Sequence, residues 1–255
     1  MPGAEARRQG QFPNAFPGQP GGGRHGPGQS PVEPLKNRNS CEDWTSRVLG
    51  VGPPIDGRIL PVFINVSGTQ VQYAEVAKSR SNAMMTAVLI RLLNRLLPGG
   101  GLQLHDVAIV TPYVARQYEI LRAIGSSVSI NDTEDKILLT TADRVQGNER
   151  PVVVFLAVNT AESGAGFLHD SNRLNVISTR ASDFFIVIGD LAVANSPPSA
   201  RIVESSGGHL DDRALKAWHQ FFVRHQRVVQ QSDIPWLTND AADFSAERFV
   251  DLGDD

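Results

Sequence analysis

The sequence has little cysteine, little excess charge and no long apolar run. Cys41 is the one cysteine among 255 residues, which excludes an internal disulfide and a metal site built from several cysteines. The net charge of −3 excludes a strongly basic nucleic-acid coat, although not a local basic patch. No apolar stretch approaches the roughly 20 residues that span a bilayer, and the N-terminus lacks the apolar core of a signal peptide. We therefore expect an intracellular protein, cytoplasmic or nuclear, without a membrane partner.

Glycine and proline are unevenly distributed, with 8 of 23 Gly and 7 of 16 Pro in residues 1–34. Such a segment has little apolar surface to bury and cannot offset the entropy of ordering its backbone. We therefore predict a Pro/Gly-rich disordered tail over residues 1–57, with ordered structure beginning near Arg58. A Pro-rich ligand or an RNA-contacting arm is the alternative, but its arginines are too sparse to support it.

The middle of the chain, residues 58–195, alternates apolar runs with helical patterns. Continuous apolar runs indicate strands that are buried on both faces, and their alternation with helices is typical of an α/β fold, a parallel sheet with helices on both faces. The predicted strands are Ile59–Val66, Val107–Val110, Ile137–Thr141, Val152–Ala157 and Phe184–Ile188, and the predicted helices are Ser81–Leu97, Ala115–Ile124 and Asp170–Thr179.

Residues 196–255 form the third predicted region. An amphipathic helix is expected from Asp211 to about Arg227, with Leu215, Trp218 and Phe222 on one side, and we interpret it as a packing helix. The last 25 residues hold seven acidic side chains and one arginine, which predicts a solvated acidic tail.

Polar residues follow two of the predicted strands, where an open parallel sheet binds its ligands. Thr111 and Pro112 end one strand, and Thr141 ends another. After Thr141, three polar side chains are spaced three residues apart, so that one helical turn would place them on one side: Asp143, Gln146 and Glu149. Such a group could orient a metal-bound nucleotide or an attacking water. The alternative, equally well supported by the spacing, is that Asp143 does no more than cap a short helix.

A third segment carries two arginines on a predicted helix. Arg173 and Arg180 are seven residues apart, which places them on one helix face roughly 10 Å apart. A guanidinium held on a rigid helix suits bidentate phosphate binding. Taken alone, the segment fits better with two surface arginines that pair with nearby acids.

Together these segments resemble the second RecA-like domain of superfamily 1 helicases of the nonsense-mediated-decay and Dna2 type. That family's pattern runs T-P-Y-x-x-Q, then T-V-D-x-x-Q-G-x-E, then R-R-L-N-V-A-L-T-R-A. This chain has Thr111-Pro112-Tyr113 with Gln117 one residue late, then Thr141 to Glu149, then Asn172 to Ala181 with Asn172 in place of the first arginine. The resemblance covers residues 58–190 and implies a RecA-like sheet.

The resemblance also implies roles for individual residues. Arg180 would be the arginine finger that reaches ATP on a partner domain, and Glu149 and Gly147 would line the same nucleotide cleft. Gln146 would couple the nucleotide to the nucleic acid, Arg173 would position the arginine-finger helix, and Asp143 would belong to the same nucleotide-facing turn. Thr111, Pro112 and Thr141 would contact the backbone of single-stranded RNA or DNA, a mode independent of sequence.

The sequence lacks the other half of such a site. The phosphate loop G-x-x-x-x-G-K-[ST], the D-E-x-x pair that holds Mg²⁺ and the segment that stacks adenine are all absent. The resemblance therefore implies a helicase-type ATPase that is incomplete in this chain. ATP and Mg²⁺ would bind only with a first, Walker-containing RecA-like domain, in cis or in trans, and no metal site is expected in the chain itself.

Two other hypotheses remain open at this point. The chain could be a non-catalytic module that derives from a helicase domain and binds nucleic acid or a protein. It could also be an unrelated doubly wound enzyme, but it has no G-x-S-x-G or G-x-G-x-x-G turn and its six histidines are scattered.

Overall fold

A six-stranded parallel sheet forms the centre of the protein, for which a computed structural model describes residues 38–52, 61–74, 79–113, 117–127, 137–145, 147–196 and 212–238. The strands are β1 (Val62–Asn65), β4 (Val107–Thr111), β5 (Leu138–Thr141), β6 (Arg150–Leu156), β7 (Ala181–Gly189) and β8 (Val228–Gln230), in the spatial order β5-β4-β6-β7-β1-β8. β2 (Gln72–Ala74) and β3 (Ser79–Ser81) form a separate antiparallel hairpin.

In the described part of the chain, six helices accompany the sheet: α1 (Arg38–Leu49), α2 (Ala83–Gly100), α3 (Gln117–Ser127), α4 (Ser171–Ser178), α5 (Asp212–Arg224) and α6 (Pro235–Thr238). Short 3-10 turns lie at Leu104–Asp106, Gly166–His169, Leu191–Asn195 and Gln231–Asp233. No helix among the described residues is both long and apolar enough to cross a bilayer.

Both faces of the sheet are buried, as the continuous apolar runs predict. Along β6, Val152, Val154 and Leu156 face a cluster that includes α1, α2, α3 and α6. The alternate residues Val153 and Phe155 face a second cluster with α4 and α5. This alternation is the two-residue period of a strand with helices on each side, and it confirms the α/β parallel sheet of RecA-like type.

Helix α2 begins where its sequence predicts but ends three residues later than predicted. The Oδ1 of Asn82 accepts a hydrogen bond from the Met85 N–H at 3.1 Å and thereby caps the first turn. At the other end Gly101 adopts a left-handed conformation with φ of 66°, and its N–H donates to Leu97 O. Pro98 lies inside the last turn, so that the helix extends to Gly100 rather than ending at Leu97.

The predicted start of ordered structure near Arg58 is wrong. Helix α1 precedes that position and buries Trp44 and Leu49 in the cluster around α2. The few apolar side chains among these 12 residues gave too weak a pattern to compete with the Gly and Pro content nearby. The part of the predicted tail before residue 38 lies outside the described residues.

The chain after residue 196 is also more ordered than predicted. The amphipathic helix is present as α5, but β8 then joins the sheet in register with β1, with Phe63 opposite Val228. Leu237 in α6 is completely buried, so residues 231–238 are not a solvated tail. The predicted acidic tail beyond residue 238 lies outside the described residues.

Candidate functional site

Arg180 and Glu149 lie at the amino edge of the sheet, where the parallel strands begin. Arg150 opens β6 opposite Ala181 of β7, and the Arg150 N–H donates to the Arg180 carbonyl at 3.1 Å. The backbones of Glu149 and Arg180 are therefore neighbours, each one residue before its strand. The sequence predicted this pair, although not that it would lie at the end of the sheet opposite to Thr111.

The Arg180 guanidinium folds back onto the end of its own helix. Nε donates to Val176 O at 3.0 Å and Nη2 to Thr179 Oγ1 at 3.1 Å. A cation at a helix C-terminus satisfies carbonyls that lack a helical partner. The residue is partly exposed, and these two hydrogen bonds hold its guanidinium against the end of α4.

Gly147 lies two residues before Glu149, and its backbone is not covered by other atoms. Its φ is 85°, in the region that favours glycine, and an added Cβ would meet nothing within 4 Å. A ligand could therefore approach the backbone closely at this point. Gln146, the next predicted site residue, lies outside the described residues.

Asp143 and Glu149 do not share a helical turn. The segment between β5 and β6 crosses the sheet from its carboxyl edge to its amino edge, so Asp143 lies at one end and Glu149 at the other. The seven residues of β6 alone separate the two edges by about 20 Å. The prediction of one helical turn was wrong because a parallel strand pair needs a crossover connection, which stretches these residues apart.

Arg173 forms an ion pair with Asp143, which lies in the connection between β5 and β6. Arg173 Nε lies 3.1 Å from Asp143 Oδ1 and 3.6 Å from Asp170 Oδ2, and its guanidinium lies 4.6 Å from the centroid of the Phe167 ring. Arg173 stands in the first turn of α4 and Arg180 just beyond the last. The two arginines therefore lie at opposite ends of α4, and Arg173 joins the start of that helix to the crossover.

Thr111, Pro112 and Thr141 lie at the carboxyl edge, as predicted, but all three side chains are buried. Thr111 and Thr141 pair across β4 and β5 and are 0% and 4% exposed. Among the described residues, none forms a hydrogen bond with Thr111 Oγ1. Contact of these hydroxyls with a nucleic acid therefore stays a prediction.

Sequence reasoning missed a polar cluster at this same edge, here called the edge network: Arg80, Tyr113, Asn159 and the turn 163–166. Tyr113 Oη donates to Asn159 Oδ1 at 3.2 Å, and Asn159 Nδ2 donates to the carbonyls of Gly164 and Ala165 at 2.8 and 2.7 Å. Burial raises the pKa of Tyr113 above its ordinary value and outweighs the opposing charge of Arg80. Tyr113 is therefore a neutral donor.

A strained turn presents Asn159 to the network. Val158 has φ of 66°, a conformation that is rare for a β-branched residue. The Asn159 N–H donates to Ala157 O at 2.7 Å, which closes a three-residue turn around Val158. Strain of this kind costs on the order of 1–3 kcal/mol and is concentrated at ligand-binding sites. The only sequence feature that could have indicated Asn159 is its position directly after an apolar strand.

The described residues contain no group of three or more His, Cys, Asp or Glu side chains that could hold a metal ion. Around Arg173, one guanidinium faces the two carboxylates of Asp143 and Asp170.

Comparison with known proteins places this fold in a family. Residues 35–192 match the family described as the AAA domain. The chain is 28% identical over 132 residues to a regulator of nonsense transcripts 1 homolog from Drosophila melanogaster. It is 33% identical over 113 residues to a DNA polymerase alpha-associated DNA helicase A from Schizosaccharomyces pombe, and 28% identical over 144 residues to a DNA replication ATP-dependent helicase/nuclease from Bos taurus.

The similarity covers half of this chain and a small part of each relative. The three alignments span 51%, 44% and 55% of the chain, but only 11%, 16% and 13% of the respective relative. The chain therefore corresponds to one region of much longer proteins.

Proposed function

The chain belongs to the AAA domain family, as a C-terminal RecA-like domain of the superfamily 1 helicases, and we propose that it supplies the arginine finger and nucleic-acid contacts of an ATP-dependent RNA or DNA helicase. In this proposal a first RecA-like domain, in cis or in trans, carries the phosphate loop. The chain alone hydrolyses little or no ATP.

The position of Arg180 is the observation that carries the proposal. The residue is partly exposed at the amino edge, where its backbone neighbours that of Glu149, and the backbone of Gly147 two residues earlier is open. A guanidinium that contacts the transferring phosphoryl group stabilises the negative charge of the transition state. Two hydrogen bonds hold Arg180 against α4, and we propose that docking of the nucleotide-bearing domain replaces them.

ATP and Mg²⁺ belong to this site only together with the partner domain. Arg180 would contact the γ-phosphate, while Glu149 and Gly147 would line the cleft, with Gln146 beside them in the sequence. In this proposal the partner domain supplies the ligands of Mg²⁺. When bound, the metal would neutralise phosphate charge during transfer.

The carboxyl edge is the proposed nucleic-acid side. Thr111, Pro112 and Thr141 form its buried floor, and Asp143 and Arg173 connect it to α4. Because α4 ends at Ser178, two residues before Arg180, this helix and the crossover span both edges. We propose that a single strand of RNA or DNA lies along the carboxyl edge and that its binding is communicated through these two elements.

Hydrolysis by a reconstituted pair tests the arginine finger. This chain is mixed with a first RecA-like domain of a superfamily 1 helicase, and ATP turnover is measured with and without single-stranded nucleic acid. Arg180→Ala should lower kcat by about 10³-fold. Arg224→Ala is the matched control, since Arg224 is exposed and donates a hydrogen bond to Gln220 of its own helix.

Equal turnover by the Arg180→Ala and wild-type mixtures would remove the arginine-finger assignment.

A second function, a non-catalytic nucleic-acid module, is favoured by the retracted Arg180 side chain and the missing phosphate loop. It predicts that the isolated chain binds single strands with an affinity that falls as salt rises, and that the partner domain adds no turnover.

A further inference from the structure

We propose that Tyr73 is a stacking platform for an unpaired base of a single-stranded nucleic acid, positioned by Arg80 at the carboxyl edge. The inference rests on the proposed nucleic-acid function of that edge. It adds a contact to bases, whereas the resemblance implies contacts to the sugar–phosphate backbone only.

The β2–β3 hairpin pairs these two side chains. Tyr73 is directly opposite Arg80 in the antiparallel register, and the Arg80 guanidinium carbon lies 5.2 Å from the centroid of the Tyr73 ring. Side chains directly opposite each other on an antiparallel strand pair are close enough to interact. A guanidinium over an aromatic face is attracted by the quadrupole of the ring. Tyr73 nevertheless remains 57% exposed, so much of the ring is open to a ligand.

Arg80 is itself fixed to the body of the protein. Its Nη1 donates to the carbonyls of Ser163 and Gly164 at 3.2 and 3.4 Å. An ideal Cβ at Gly166 would lie 3.0 Å from Arg80 Nη1 and 3.4 Å from Tyr113 Oη, so both groups meet at this glycine. The hairpin is therefore attached to the edge network beside the Thr111–Tyr113 segment.

This arrangement suits a base better than it suits an apolar ligand. A ring held from behind by an anchored cation loses little side-chain freedom when a flat ligand stacks on its open side. Bases stack on tyrosine without regard to sequence, and the nearby positive charge attracts the adjoining phosphate. Tyr118, although 84% exposed, has no described cation over its ring and stands on α3.

Binding of two labelled strands to the full chain tests the proposal. Fluorescence anisotropy at low salt compares a thymidine homopolymer with an abasic strand of equal length and equal phosphate charge. Tyr73→Ala should weaken binding of the thymidine strand by about 5- to 150-fold, the range for loss of one stacked base. Tyr73→Phe should bind as wild type does, because the ring is kept, and Tyr118→Ala is the matched control.

The abasic strand separates stacking from charge. Tyr73→Ala should leave its affinity and the salt dependence of both strands unchanged, since no phosphate contact is removed. If Tyr73→Ala binds the thymidine strand as tightly as wild type, the stacking role is overturned while the nucleic-acid function stands. If wild type binds neither strand, the nucleic-acid part of the proposed function fails and the stacking role fails with it.

Discussion

At the scale of single residues, Gly166 is the glycine on which the edge network depends most directly. Its φ is 49°, and an added Cβ would lie 2.9 Å from Asn159 Nδ2 and 3.0 Å from Arg80 Nη1. We expect Gly166→Ala to lower the free energy of unfolding by about 1–3 kcal/mol, from backbone strain and from the displaced amide and guanidinium. Urea unfolding followed by circular dichroism measures the change.

Gly125 supplies the contrasting substitution. It lies within α3, it is exposed, its φ is not positive and nothing would lie within 4 Å of an added Cβ. Gly125→Ala should therefore raise the free energy of unfolding by about 0.5–1 kcal/mol, because alanine loses less backbone entropy in a helix. An equal loss of stability in both variants would show that close approach at Gly166 is not what distinguishes it.

The sequence identified Arg180 and Glu149 as candidates but could not place them. Their pairing depends on the register between β6 and β7, which only the folded sheet defines. Asn159 was missed for a related reason, since its hydrogen bonds reach the turn at 164–165 through a backbone conformation that no composition predicts. A motif identifies the residue types of a site, but it does not show at which edge of the sheet those residues lie.

At the scale of elements, Asn82 connects the hairpin side of the protein to α2. Its Oδ1 caps the helix at Met85, and its Nδ2 donates to Thr69 Oγ1 at 2.7 Å, with the whole residue 1% exposed. Asn82→Ala should lower the free energy of unfolding by about 1–2 kcal/mol, since it removes the cap and leaves buried groups unpaired. Asn82→Asp keeps the acceptor and should lose less.

Met84→Ala is the control for this prediction. Met84 lies in the same first turn but is 44% exposed, so its truncation should change the stability little. Thermal unfolding of the three variants under one condition provides the ranking, and a loss for Met84→Ala as large as that for Asn82→Ala would contradict the capping role.

Long apolar elements were predictable and short polar ones were not. The runs at 107–110, 152–157 and 184–188 fill both sides of the sheet, so their sequence alone determines a buried strand. β8 and the β2–β3 hairpin have three residues per strand, too few to establish a period. They are stabilised by partners distant in the sequence, such as Phe63 for β8 and the carbonyls of Ser163 and Gly164 for Arg80.

At the scale of the whole molecule, one buried histidine couples the stability of the sheet to pH. His219 of α5 is 5% exposed, its ring centroid lies 5.2 Å from that of Phe63, and its Nδ1 is 3.0 Å from Leu191 O. Burial lowers the pKa of His219 from 6.5 to about 4, despite the opposing backbone hydrogen bond. The folded protein therefore keeps a neutral ring where the unfolded chain would bind a proton.

The unfolded state consequently takes up more protons between pH 6.5 and about 4, so this contribution to stability is lost as the pH falls through that range. The full difference amounts to about 3 kcal/mol. We expect the free energy of unfolding of His219→Gln, measured in urea across this range, to fall less steeply with decreasing pH than that of wild type. His225→Gln, at an exposed position, should retain the wild-type slope. Parallel curves for wild type and His219→Gln would instead mean that the carboxylates alone account for acid sensitivity, and that α5 packs on β1 equally well with a charged ring.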